Sequence, residues 1–316
     1  MLAGLSLALT SPGLARAAET QLPLTVGGLT GPRSLSLAGG VGLVTGTEAV
    51  FVNPAGLAAR KRYVVDGLYA WDTRPGPSSP ESRAQLFGGA ISDSVSTPLA
   101  AGLSVLRASK GVQTGYDVRL GLAGPITDSI FVGVAGRYDK LKSSDGSVEK
   151  ADSVLNVDAG VFWQVTRHVS IGGAAYNLVA NDKDITNPRE FGAGIAIGSE
   201  TSLQVTADWR MSSDACFDAA GGAPRLCTRD PQGKLDSGLR KKSASRIGGG
   251  VEYLIDNLVP IRGGFQVDDV SKTKWWSAGI GLVGTQAALD IGYRQSLDKS
   301  SARTVIVAVR AFLPNE

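Results

Sequence analysis

From about Arg62 onward the chain repeats one design: segments of roughly ten residues in which apolar and small or polar side chains alternate, separated by turn residues. Alternation at a period of two puts every second side chain on one face of an extended strand. In Leu203 to Arg210 one face is Leu203, Val205, Ala207 and Trp209, and the other is Gln204, Thr206, Asp208 and Arg210. Val118, Leu120 and Leu122 alternate in the same way with Asp117, Arg119 and Gly121, and Leu289, Ile291 and Tyr293 with Asp290, Gly292 and Arg294. A soluble sandwich also satisfies alternation, because its apolar face meets a second sheet. Three features favour a membrane. The segments number about fourteen, near 62–73, 83–92, 98–108, 114–124, 129–141, 153–164, 168–178, 189–198, 201–211, 243–255, 260–269, 273–283, 286–296 and 302–313, an even count as in bacterial membrane barrels. Connections alternate in kind: 75–82, 141–152, 179–188 and 212–242 are long or polar, whereas 94–97, 125–128, 166–167, 199–200 and 284–285 are tight. Tyr63, Trp71, Tyr116, Tyr138, Trp163, Trp209, Tyr253, Trp276 and Tyr293 sit mostly near turns, where interfacial girdles belong. The expected fold class is all-β: a transmembrane antiparallel β-barrel of about 14 strands over residues 62–316.

Composition excludes other classes. Gly takes 41 of 316 positions without a three-residue period, so collagen is ruled out. An apolar share of 43% with a net charge of +3 excludes disorder. Basic and acidic residues are interleaved, so no nucleic-acid partner is expected. A single histidine leaves little room for a multi-His metal site or a His-paired catalytic centre. No cofactor, no metal and no enzymatic activity are expected, and His168 reads as a solvated turn residue. No run reaches the ~18 apolar residues of a membrane-spanning helix. Residues 1–18 read as a signal peptide, with a short apolar stretch from Leu2 to Thr10 and a small-x-small site at Ala15-Arg16-Ala17. Cys216 and Cys227 lie close together in a polar Gly/Pro stretch, as a small loop disulfide in an oxidising compartment would. In a chain that is not exported they would be two thiols.

The inward face carries Gly102, Gly121, Gly133, Gly160, Gly192, Gly194, Gly248, Gly250, Gly279, Gly281 and Gly292. Glycine weakens a strand but permits close approach of another segment. A lumen holding a folded-in segment and a wall that merely tolerates small residues are both compatible with this. The inward charges are Asp66, Asp117, Asp158, Asp208, Glu252 and Asp290 against Arg119, Arg137, Arg210, Arg246, Arg262, Arg294 and Arg310. Six acids against seven arginines predict an internal ion-pair network rather than a strongly ion-selective pore.

Residues 19–61 precede the first strand. Gly31-Pro32-Arg33 runs through Gly39 and Gly40 to Asn53-Pro54-Ala55-Gly56-Leu57. Gly39-Gly40-Val41-Gly42 lacks the strand–loop–helix setting and the Lys-Ser/Thr ending of a phosphate loop. Taken in order, Gly31, Arg33, Gly39, Gly40 and Asn53 to Leu57 resemble the N-terminus of the FadL-type outer-membrane transport superfamily, which includes a PorV-like branch. Weaker likeness continues at Ile126-Thr127-Asp128-Ser129, Val165-Thr166-Arg167-His168 and Tyr176-Asn177-Leu178.

The resemblance implies a bacterial outer-membrane barrel whose N-terminal segment folds into the lumen as a hatch, with Asn53, Pro54, Ala55, Gly56 and Leu57 as hatch residues. It implies passive uptake of a hydrophobic small molecule, fatty-acid or hydrocarbon-like, with outer-membrane lipid around the barrel. FadL relatives capture ligand with long apolar outer loops, whereas 141–152 and 179–188 are short and charged here. The alternative implied by the PorV-like branch is a scaffold that docks an exported or surface protein.

Overall fold

The computed structural model describes residues 31–43, 46–74, 82–111, 113–143, 152–179, 189–218, 224–225, 237–269, 272–298 and 301–313. The expected signal peptide, residues 19–30, Cys227 and the side chain of Cys216 lie outside these, and the disulfide expectation with them.

The strands are β1 (Tyr63–Arg74), β2 (Ser82–Asp93), β3 (Ala100–Lys110), β4 (Gln113–Pro125), β5 (Ile130–Ser143), β6 (Asp152–Thr166), β7 (Val169–Tyr176), β8 (Glu190–Gly198), β9 (Leu203–Asp218), β10 (Pro224–Arg225), β11 (Leu239–Ile255), β12 (Val259–Asp268), β13 (Thr273–Val283), β14 (Ala287–Ser296) and β15 (Arg303–Leu313). Apart from the two-residue β10, which pairs only with the end of β9, each strand pairs antiparallel on both sides. β1 pairs with β15, and β8 pairs with β9, so fourteen strands close into a barrel with no free edge. The expected strands match these within a few residues, with one exception. β9 continues to Asp218 and β11 begins at Leu239, so the connection read as 212–242 is shorter than expected. Residues 215–218 pair with 239–242 across a bulge at Lys242/Ala244. Strand that rises beyond the lipid faces water on both sides and needs no apolar alternation, so the sequence pattern stops before the hairpin does.

Side chains alternate as the period-two pattern requires. In β3, Gly102, Ser104, Leu106 and Ala108 are buried inward, while Leu103 and Val105 are exposed. Leu120, Val134, Leu155, Ile197, Ile247, Ile280 and Val309 all point outward with more than half of their surface exposed. An apolar band of this extent around the wall is disfavoured against water and suits lipid. The nine aromatics expected in girdles all occupy outward positions, Trp71, Trp163, Trp209 and Tyr253 among the most exposed. Among the described residues no helix is long and apolar enough to cross a membrane, which says nothing against a barrel.

One end of the barrel carries tight turns closed by local side-chain bonds. Asp93 Oδ1 accepts from the N–H groups of Val95 (2.8 Å) and Ser96 (3.0 Å), and Thr127 Oγ1 accepts from Ile130 N–H (3.1 Å). Asp256 and Asn257 turn at φ 50° and 53°, a left-handed region that these two residue types tolerate. The first strand starts and the last strand ends at this same end. The opposite end carries the longer connections.

Candidate functional site

Residues 31–43 and 46–58 lie inside the barrel. Helix α1 (Pro32–Ser36) starts with Pro at its first position, where the missing N–H costs nothing. It stops as Ala38 turns to φ 53°, and the chain passes through Gly39 to Gly42. A 3-10 turn at Gly46–Glu48 leads into α2 (Ala49–Val52). Asn53 ends α2 because the residue before proline is driven to extended geometry, here φ −158° and ψ 100°. Its Oδ1 then accepts from Ala55 N–H (3.2 Å), capping the turn Pro54–Leu57. Its Nδ2 donates to the carbonyls of Val41 (2.9 Å) and of Val161 on β6 (3.0 Å). One side chain thus joins both halves of the segment to the wall. Tyr176 on β7 adds a hydroxyl bond to the Val52 carbonyl, and Ser277 on β13 one to the Ser36 carbonyl (2.8 Å). Val50, Val52, Ala55 and Leu57 are buried against wall residues such as Phe131 and Phe162. Full burial of a Val or Leu is worth about 1.5–3 kcal/mol.

The wall facing the segment is glycine. A Cβ on Gly102 or Gly121 would strike Val50 or Leu57, on Gly133 the Pro54–Ala55 backbone, on Gly160 Asn53, and on Gly172 Val41. On the other side Gly248 and Gly250 face Ala38 and Leu37, Gly264 and Gly279 face Ser36, Gly292 faces Pro32, and Gly194 faces Gly42. Close approach, rather than tolerance, explains these glycines. Gly281 is different: its neighbours are Asp290 and Leu289 of β14. Gly172 was not legible as inward, because Gly172-Gly173-Ala174-Ala175 is small on both faces, whereas Gly264 shares the parity of Arg262 and could have been read.

Charges stitch the segment to the wall. The Asp208 carboxylate accepts from Gly40 N–H and Val41 N–H (2.8 Å for the latter). Arg33 grips Glu252 with two bonds (2.7 and 3.1 Å) and Gln204 with a third (3.0 Å). Glu252 bonds Arg262 (2.5 Å), Arg262 bonds Asp290 (2.6 Å), and Arg310 reaches Asp290 (3.7 Å), Asp66 (2.8 Å) and Glu48 (3.8 Å). Glu48 also accepts from Ser34 N–H (3.1 Å) and Arg33 N–H (3.4 Å), open amides of the first turn of α1. Burial pushes the Glu48 carboxyl above its ordinary 4.5, against the pull of Arg310. Burial opposes the charge on Arg33, but Glu252, Glu48 and Asp290 together outweigh it and its pKa rises.

A second set lies toward the long-loop end. Arg119 pairs with Asp117 (2.9 Å) and Asp158 (3.4 Å), its guanidinium 4.9 Å over the Phe51 ring. Arg137 pairs with Asp139 (2.8 Å) and bonds Asn177. Arg246 pairs with Glu190 (2.8 Å) and Asp268 (3.6 Å). Arg210 lies over Tyr176 (5.1 Å) and Arg294 over Trp275 (4.6 Å). All the lumen charges expected from sequence face inward, and the structure adds Asp72, Asp139, Glu190 and Asp268 to the acids of the wall. Their inward parity was readable, but they sit at strand ends where the pattern fades. Glu48 had no signal, lying outside any strand.

Among the described residues, a cavity of about 30 Å³ lies between Ser34, Gly39, Asp208, Arg210, Arg246 and Arg294, and one of about 10 Å³ beside Glu48, Phe51 and Arg310. Spaces of this size suit single waters. Between the Asp66–Arg310 pair and the Asp72–Thr304 bond the inward wall is apolar: Ile306, Ala70, Leu86 and Ala108 stand in one row across β15, β1, β2 and β3, with Ala308, Leu68, Gly88 and Leu106 in the next. This stripe went unread in the sequence because each strand contributes only one or two of its residues.

No family model and no curated protein matches the sequence. Solved structures do. The Ralstonia pickettii toluene transporter TbuX superposes with a TM-score of 0.63 at 16% identity, covering 90% of this chain and 98% of that one. A Pseudomonas aeruginosa FadL homologue gives 0.62 at 12% identity over 89% and 97%, and the Pseudomonas putida toluene transporter TodX gives 0.62 at 12% over 89% and 96%. The chain shares the fold of these solved structures, a closed antiparallel barrel of fourteen strands.

Proposed function

We propose that this barrel sits in the bacterial outer membrane and mediates passive uptake of hydrophobic small molecules, with residues 31–58 acting as the hatch. On this reading the tight turns face the periplasm and the long connections face outward, the usual arrangement of such barrels. The apolar stripe on β15, β1, β2 and β3 carries the proposal. The stripe is buried in one cluster with Val50, Phe51 and Leu57, so a hydrocarbon or acyl chain gains by leaving water for this wall once the hatch shifts off it, whereas a polar solute gains nothing there. The two cavities seen among the described residues are water-sized, which favours a filled lumen over an open porin. Structural neighbours with this fold are described as toluene transporters and monoaromatic hydrocarbon channels, which supports the solute class without fixing the solute. The role is that of a conduit, not an enzyme.

The test is uptake of radiolabelled toluene and of a long-chain fatty acid by cells carrying the wild-type chain or the double variant Leu86→Gln/Leu106→Gln. At least one solute is expected to enter several-fold more slowly in the variant, with equal amounts of barrel in the outer membrane. Unchanged uptake of both, together with a stoichiometric exported protein purifying with the barrel, would replace this reading with the docking one.

A further inference from the structure

Two arginines from opposite ends of the inner segment meet on one carboxylate. Glu200 lies in the tight turn between β8 and β9, where Arg60 pairs with it and Arg33 of α1 comes within 3.9 Å. β8 follows β1 by seven places in the ring of fourteen long strands, so this turn lies across the mouth from β1. The backbone of Arg60 stays on the near side. Ser94, beyond the end of β2, donates its hydroxyl to the Arg60 carbonyl and accepts from Arg62 N–H (2.8 Å). Residues 58–62 are thus fastened at one turn through the backbone and at the facing turn through a side chain. They form a bar at the tight-turn mouth.

The bar lies where the apolar wall ends. Inward positions of β3 run from Ala108 and Leu106 through Gly102, which faces Val50 and Leu57, to Ala100 beside Ala123 of β4 at the tight-turn end. Leu57 and Ala58 belong to the same apolar cluster as this wall, and Ala59 packs against it. A solute moving down the wall toward the tight turns therefore meets the bar before it reaches water. The two grips on the segment differ in kind. The Arg33 and Glu252 side chains are 12% and 6% exposed, whereas that of Arg60 is 44% exposed. Breaking a buried pair strands a charge away from water. A pair open to water is weaker and screened by salt, so it can part and reclose, as a gate must. Because Glu200 also faces Arg33, a shift of α1 changes the field that holds Arg60.

We propose that the Arg60–Glu200 pair is the latch of a gate at the tight-turn mouth, and that its opening, coupled to α1 through the shared carboxylate, lets a hydrophobic solute leave the apolar wall. The inference rests on the uptake reading above, with the inner segment as the hatch. Glu200 is a positioning residue: it acts on the bar and on α1, not on the solute.

The test is hydrogen exchange of the full chain in detergent, paired with the cell uptake assay. The N–H groups of Ala58, Ala59 and Arg62, bonded to Ala55, Gly56 and Ser94, report the bar, and those of Leu35 and Leu37 report α1. Arg60→Gln is expected to speed exchange of the bar about five-fold and to leave α1 unchanged. Glu200→Gln is expected to speed both, and the double variant to match Glu200→Gln at the bar. Arg60→Lys, which keeps the charge, is expected to stay close to the wild type. Added salt is expected to loosen the bar of the wild type and not that of Arg60→Gln. Heat-dependent gel mobility checks that each variant remains a closed barrel. Uptake of toluene or fatty acid is expected to rise about two-fold or more in Glu200→Gln at equal amounts of barrel. A bar unmoved in Glu200→Gln, or additive effects of the two substitutions, overturns the latch. A loosened bar with uptake at the wild-type rate overturns its role as a gate. No uptake by the wild type or any variant, with the exchange differences present, defeats the uptake reading and the gate with it, while the latch stands.

Discussion

A single methyl group separates the two kinds of glycine in this wall. At Gly133 a Cβ would lie 2.5 Å from the Pro54–Ala55 backbone, whereas at Gly67, on the outer face, it would meet nothing within 4 Å. Overpacking a filled interior costs about 1–3 kcal/mol, and backbone has little room to yield. Gly133→Ala is therefore expected to lift the segment off the wall, read as faster hydrogen exchange across residues 46–58. Gly67→Ala is expected to leave exchange unchanged. Equal exchange in both variants would mean that the glycine contacts do not govern docking. Glu48 supplies a pH-dependent counterpart. Its carboxyl is harder to ionise in place than in water, because burial raises its pKa above 4.5. A carboxyl raised by folding contributes stability that is present below its unfolded value and lost as pH rises through the folded one. Docking of α1 is expected to weaken as pH rises above about 4.5, and Glu48→Gln is expected to flatten that dependence. An unchanged slope in the variant would place the titration on another group.

At the scale of elements, α1 is held less by its own five residues than by what grips Arg33. A helix this short is unstable alone, so its docking depends on the Arg33–Glu252 pair and on Glu48 at its first turn. A double-mutant cycle with Arg33→Met and Glu252→Gln is expected to give a coupling of about 1–3 kcal/mol in the exchange protection of residues 32–37. Additive effects would mean that Glu252 serves only Arg262. The strands were legible in the sequence because each must present one face to lipid and one to the lumen, and that demand writes a period of two over ten residues. α1 and α2 left no such trace, since they are five and four residues long and surrounded by the barrel, too short to show a periodic face. Asn53 to Leu57 stood out through family resemblance, and the bonds of Asn53 to Val41 and Val161 supply the physical reason for an asparagine there. The partners of the inward glycines were not legible. A glycine records that something comes close, not what it is.

For the whole molecule, the wall and the segment divide their work. Every long strand is bonded on both sides by other strands, so the barrel does not need residues 31–58 to close its sheet. Deleting them is expected to leave a heat-modifiable barrel and to raise single-channel conductance in planar bilayers well above the wild-type level. A deleted barrel that stays closed would overturn the hatch reading. The opened pore also has a predictable sign. Sequence alone balanced six acids against seven arginines, but Asp72, Asp139, Glu190 and Asp268 also line the wall. Carboxylates therefore outnumber guanidiniums among the described lumen residues, and rings of carboxylates favour cations. The excess lies toward the long-loop end, where Glu190 and Asp268 flank Arg246 and Asp139 pairs with Arg137. In a KCl gradient the deleted barrel is expected to show a modest cation preference, and Glu190→Gln/Asp268→Asn to diminish it. A reversal potential of anionic sign would mean that the arginines, Arg310 among them once Glu48 is gone, set the field of the open lumen instead.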